Sequence, residues 1–198
     1  MTQSTLYYRT QLTTDVILFA NQINGNMEEH LLENLKANIE GKVTENGNVI
    51  KVLKLVSYER GKIDTSNFSA NVVFPIKYEC FLCAPVKDME MVAKVKNTTI
   101  KRIIIAVNGP VLASISLSDV DTTKFRIQDN DVYYVANDKI VSKNDYIKVV
   151  VTGANNIKGS RNIMAVCKLV DMASSSEIER FKKDKVLVQG ETDDDEMI

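Results

Sequence analysis

The chain has 198 residues, of which 44% are hydrophobic and 26% charged, and its formal net charge is −1. That is an ordinary soluble composition with room for one large domain or two small ones, each able to bury a core. No apolar run approaches the ~20 residues that span a bilayer, the opening MTQSTLYYRTQLTTD lacks the basic-then-apolar order of a signal peptide, and 3 cysteines are too sparse for a disulfide framework. An intracellular protein without membrane contact is expected. The charge runs from −1 over residues 1 to 85, through +4 over 86 to 172, to −4 over 173 to 198. The middle is thus mildly basic, far below the balance of a protein that binds nucleic acid by charge alone.

Residues 5 to 19 read as a strand or pair of strands ending in the apolar Val16 to Phe19. After the Asn- and Gly-rich NQINGN, Asn26 is placed to cap a helix with Glu28 and Glu29 in its first turn, where carboxylates suit the helix dipole. Met27, Leu31, Leu35 and Ile39 recur every fourth residue beside Leu32, which predicts one inward stripe, and Gly41 is placed to end the helix. From Lys42 the period becomes two. Asn46-Gly47 is a candidate turn, after which Val49, Lys51, Leu53 and Leu55 alternate with Ile50, Val52, Lys54 and Val56. Gly61-Lys62-Ile63 begins a short extended piece, and SANVVFPIKYECFLCAPV supplies a long strand in which Pro75 suggests an edge or a bulge. Pro85 marks a domain boundary.

The second half centres on KRIIIAVNGPVLASISL, where Ile103 to Val107 and Val111 to Leu117 flank Asn108-Gly109-Pro110 as a hairpin would. Strands are expected at 86 to 96, 101 to 107, 111 to 117, about 132 to 136, and 146 to 152 paired with 162 to 170, with SDVDTTKFRIQDND as a long loop. Short strands without a helix among them suggest an OB-type barrel. Ser174 stands three residues before Glu177, the spacing of a capping box at the start of a short terminal helix. The charged run Glu191 to Glu196 is expected to be disordered. The fold class is therefore α+β: an N-terminal docking domain over 1 to 85, built as a curved antiparallel sheet with one helix, then an OB-fold β-barrel over 86 to 172, then a short helix and acidic tail over 173 to 198.

The order of parts resembles the larger stalk subunit of multisubunit RNA polymerases, that is, the seventh subunit of the eukaryotic polymerase II and its archaeal counterpart. The residues that carry the resemblance are the helix ending in IEGKV, the ERGKI after the next strand, VVFPIKYECFLCAPVKDMEMVAKV between the domains, and VNGPVLASISLSDV inside the barrel; together they cover roughly residues 6 to 172. The family's glycine-containing turns are replaced at Lys87-Asp88-Met89 and near KNTTIKR. The Asn- and Lys-rich flavour resembles a version encoded by a large DNA virus. The resemblance implies a non-catalytic subunit whose first domain docks on the large polymerase subunits and whose barrel projects near nascent single-stranded RNA, with a smaller stalk protein as a further partner. By position, Tyr58, Glu59, Arg60, Gly61 and Lys62 would form the docking tip, with Asn24, Gly25 and Asn26 nearby. It also implies a place in transcription, in the nucleus, or in a cytoplasmic viral factory and the virion if the protein is viral.

For RNA, Lys94, Lys96, Lys101 and Arg102 gather around one hairpin end, with Tyr146, Lys148, Lys158 and Arg161 on the later strands and their loop. Lysine and arginine would neutralise phosphates and Tyr146 could stack a base; an ordinary solvated barrel face with Tyr146 packed inward is the alternative. Weak, sequence-tolerant binding is expected. Other chemistry finds little support. Cys80 and Cys83 have the spacing of half a zinc site, but only Cys167 and His30 remain to complete it, so no metal is expected. GANNIKGS has Lys158 before Gly159, the wrong order for a phosphate loop, and joins two strands. A single histidine and no serine elbow or carboxylate cluster outside Asp119, Asp121 and the tail argue against an enzyme, and no cofactor is expected. The competing function is a free-standing OB-fold protein that binds single-stranded nucleic acid without a polymerase.

Overall fold

The computed structural model describes residues 6–63, 71–99, 101–107, 109–128 and 131–183. Asn108 of the expected hairpin turn and the acidic run from Glu191 to Glu196 lie outside the described residues. The described chain falls into two compact units, the first reaching Ala84 and including Lys158–Arg161, the second formed by Pro85–Ile157 and the chain from Asn162 onward.

In the first unit, β1 (Tyr7–Leu18) is one continuous strand, followed by α1 (Met27–Ile39), β2 (Lys42–Thr44), β3 (Gly47–Tyr58), β4 (Lys62–Ile63) and β5 (Val72–Cys83). The antiparallel sheet has the order β1-β5-β3-β2, with β4 also on β5. The fourfold stripe of α1 buries Leu31 and Leu35 completely, in one cluster with Val16, Leu18, Val52, Ile76, Tyr78 and Cys80. Asn26 occupies the N-cap position without a side-chain cap bond; the Asn24 side-chain oxygen instead accepts from the Asn26 N–H at 2.9 Å. Gly41 follows the helix with φ +68°, the left-handed position that favours glycine.

Strict alternation in β3 would put Val49, Lys51, Leu53 and Leu55 on one face. Instead the register against β5 shifts between Val49 and Lys51, Val52 and Lys54, and Leu55 and Ser57. Each shift inserts one residue and restores the inward side, so Val49 and Val52 are buried and Leu55 packs on the core. Repeated bulges also bend the strand, which supplies the curvature. Pro75 marks neither an edge strand nor a bulge in the pairing with β1: it sits inside β5, in unshifted register opposite Asp15. Its carbonyl accepts from the Glu59 N–H at 2.9 Å, on the side where β3 has ended and β4 not begun. The missing proline N–H therefore falls where no ladder bond is required.

The second unit contains β6 (Glu90–Thr98), β7 (Arg102–Ala106), β8 (Val111–Val120), β9 (Phe125–Gln128), β10 (Asp131–Tyr134), β11 (Lys139–Ile140), β12 (Tyr146–Asn155) and β13 (Ile163–Met172). A closed barrel runs β12-β13-β8-β7-β6, with β13 parallel to β8 and the other pairs antiparallel. This is an OB-fold barrel. Alternate residues point inward, and Ala93, Val95, Ile103, Ile105, Ile115, Ile147, Val149, Cys167 and Leu169 are fully buried.

The polar stretch after β8 is not a loop throughout, because Phe125–Gln128 forms β9; and the strand near 132 to 136 lies outside the barrel, in a separate sheet of order β11-β10-β9. The cause is Phe125, buried against Tyr134 with ring centroids 5.3 Å apart, together with buried Val132. The turn at Lys87-Asp88-Met89 forms without a glycine, since Asp88 adopts φ +66° and donates its N–H to Val151 O at 2.8 Å. Aspartate is among the few side chains that enter this region at modest cost. The capping box forms as expected. Ser174 Oγ and the Ser174 N–H both donate to Glu177 Oε2 at 2.9 Å, ahead of a helix, α2, over residues 175–183.

Candidate docking and nucleic-acid surfaces

One end of the first sheet carries the docking candidates. Leu18 of β1, Val72 of β5 and Ile63 of β4 share one row, and Ile17, Val73 and Lys62 share the next, so the end of β1 and β4 meet across the start of β5. Tyr58 closes β3 opposite Ile76, and its ring meets Phe74 edge-on at 6.4 Å. Glu59, Arg60, Gly61 and Lys62 follow, all exposed. Gly61 is needed for close approach: a Cβ there would lie 2.4 Å from Val72 Cγ1 and 2.6 Å from the Phe74 ring. Asn24, Gly25 and Asn26 lead into α1, whose Glu28, Glu29 and Leu32 line a shallow groove with Leu53 to Tyr58. The same end exposes Ile17, Phe19, Ile23, Val56 and, at 70%, Ile63. Sequence reasoning missed this apolar set; its signal was the run Val16 to Phe19 continuing past the inward-facing positions.

The eight nucleic-acid candidates fall into three places. Lys96, Lys101 and Arg102 are exposed around the β6–β7 turn, where Thr99 Oγ and N–H both donate to Arg102 O. Lys96 is the extra residue of a bulge between Val95 and Asn97. Lys94, Tyr146 and Lys148 lie together on the outer face of β6 and β12, Lys94 directly opposite Tyr146, with its Nζ 5.9 Å from the ring centroid. The Tyr146 ring is met edge-on by Phe181 of α2 at 5.5 Å. Lys148 Nζ binds Glu177 at 3.0 Å and Glu90 at 3.5 Å. The hydrogen bond to Glu177 holds the Lys148 ammonium above its ordinary range, while the Ser174 N–H, then Lys148, hold the Glu177 carboxyl below its own. Lys158 and Arg161 are exposed on a segment that belongs to the first unit. There the Val43 N–H donates to Ser160 O at 2.7 Å, the Gly159 N–H to Val43 O at 2.8 Å, and Asn48 Nδ2 to Arg161 O at 2.9 Å.

In OB barrels the outer face of the second and third strands is a recurrent oligonucleotide platform. Here that face, on β7 and β8, presents Arg102, Ile104, Ser114 and Ser116, and no aromatic ring.

No protein-family model matches the chain. Over 197 residues, 99% of this chain and 98% of the relative, it is 39% identical to the protein of Acanthamoeba polyphaga mimivirus named as a DNA-directed RNA polymerase subunit. The chain belongs to the RNA polymerase subunits of large DNA viruses. As a polymerase subunit it acts in DNA-directed transcription and associates with other polymerase subunits.

The polymerase subunit's thiols are buried. Among the described residues no group of three or more His, Cys, Asp or Glu gathers as a metal site. Burial pushes Cys80 up to about 11, Cys83 to about 12 and Cys167 to about 11. A raised thiol pKa leaves stability intact below the unfolded value of about 8.5 and removes it as pH rises through the folded values. We expect the folded polymerase subunit to resist iodoacetamide at pH 8 and to take three modifications once denatured, with stability flat from pH 7 to about 8.5 and declining above about pH 9. Rapid labelling of the folded chain, read by intact-mass spectrometry, would contradict this burial.

Proposed function

We propose that this polymerase subunit is a non-catalytic stalk component. It docks on the large polymerase subunits through the end of its first sheet and touches nascent single-stranded RNA with its barrel, in a cytoplasmic viral factory. The observation that carries the docking reading is the exposed apolar end, Ile17, Phe19, Ile23, Val56, Tyr58 and Ile63, beside the polar Glu59 to Lys62. Apolar surface gathered at one end and rimmed by charge is what an interface buries. RNA contact is supported by Lys96, Lys101 and Arg102 at the turn that joins the first two barrel strands, a position from which OB folds hold oligonucleotides.

The test is affinity purification of the tagged full chain from cells in which the viral polymerase assembles. The large polymerase subunits are expected in near-equal amount. Substituting Phe19, Tyr58 and Ile63 together by serine should reduce their recovery more than tenfold while leaving the far-ultraviolet circular dichroism unchanged. Recovery of no polymerase subunit with the unaltered chain, under mild salt, would favour a free-standing single-stranded nucleic-acid binder.

A further inference from the structure

We propose that α2 is a detachable cover over a second single-strand binding patch formed by Lys94, Tyr146 and Lys148, an inference that rests on the RNA-contact reading above. The three side chains form one continuous outward set, with Lys94 opposite Tyr146 across the β6–β12 pair and Lys148 two residues along β12. Two ammonium groups flanking an aromatic ring are the chemistry that holds single-stranded nucleic acid: the ring stacks a base and the cations take the neighbouring phosphates. In the closed form both functions are occupied by the protein itself. Phe181 packs on Tyr146, and Glu177 takes Lys148 at 3.0 Å, closer than the exposed Glu90 of β6 at 3.5 Å, which stays with the barrel. Glu177 and Phe181 stand four apart, hence on one face of α2, and that face mimics the ligand with a carboxylate where a phosphate would sit and a ring where a base would stack.

Two observations make α2 a cover rather than part of the core. None of its described residues is fully buried, and the contacts that join it to the patch are a part-exposed ion pair and an edge-on ring pair, each weak on its own. Beneath it, Ala93, Val95, Ile147 and Val149 point into the barrel and are fully buried among one another and the opposite strands. The barrel therefore stays sealed when α2 lifts.

Fluorescence anisotropy of a labelled single-stranded oligouridylate at low salt, with the full chain and the double variant Glu177→Gln/Phe181→Ala, tests the cover. The double variant should bind at least tenfold more tightly, and adding Lys148→Gln and Tyr146→Ala should return affinity to the starting level. Glu179→Gln, which removes the same charge from an exposed position of α2, should not reproduce the gain. Hydrogen exchange should accelerate at 175–183 and stay slow in β12, which separates lifting from unfolding. If the unaltered chain binds, weakened by Lys101→Glu/Arg102→Glu, and the double variant binds no more tightly, the cover is overturned while RNA contact stands. If neither form binds, RNA contact itself fails and the cover with it.

Discussion

Replacing Gly47 with alanine is expected to destabilise the protein by about 3 kcal/mol. Gly47 has φ +138°, a backbone region that L side chains rarely enter. An added Cβ would also stand 2.5 Å from the carbonyl oxygen of Cys83 and 2.9 Å from the Ala84 side chain. The obstacle is chiefly backbone, which cannot swing aside as a long side chain would. It lies at the end of β5, whose Cys83 pairs with Asn48 of β3 and Tyr7 of β1, so relief would disturb both ladders at once. Urea unfolding followed by circular dichroism measures the loss. A loss below about 1 kcal/mol would show that the β2–β3 turn slides away from Cys83 without strain.

The second large effect is expected from Ile115→Ala, at about 2–5 kcal/mol. Ile115 is fully buried at the middle of β8, paired with Ile103 of β7 on one side and Cys167 of β13 on the other. Truncation opens a cavity where an antiparallel and a parallel ladder share one strand, and close packing on both sides leaves little room to collapse. Hydrogen exchange should report the weakening in β7, β8 and β13 together. Ile104→Ala is the matched control: that side chain is 39% exposed on the outer face, and its loss should change stability by no more than about 0.5 kcal/mol. Equal effects from the two substitutions would mean that the barrel interior is not what holds β8.

Local signals in the sequence were legible where the structure obeys local rules. The stripe Met27, Leu31, Leu35 and Ile39 located α1, Gly41 ended it, and Ser174 with Glu177 formed the predicted capping box. What escaped depended on partners distant in sequence. The three bulges of β3 exist only against β5, so period two named the strand but not its inward residues. Phe125 looked like one ring in a polar loop because its partner Tyr134 belongs to another strand. Pro75 looked like an edge or a bulge because the gap that tolerates it lies between β3 and β4. The basic residues themselves were visible, but not that Phe181 and Glu177 occupy Tyr146 and Lys148, nor that the backbone around Lys158 and Arg161 bonds to Val43 and Asn48.

The strand order of the barrel has a consequence for how the chain is made. β13 is the last barrel strand in sequence, yet it lies between β8 and β12. While the chain emerges from the ribosome, β6, β7 and β8 can pair as a meander and β12 can join β6, but the sheet keeps two open edges until Ile163–Met172 arrives. Those edges, on β8 and β12, belong to strands whose inward side chains are mostly buried in the finished protein, and such exposed edges template pairing with other chains. Closure late in synthesis thus gives the nascent protein a window of vulnerability, and a polypeptide ending before β13 should be cleared or aggregate rather than compete for a place in the polymerase.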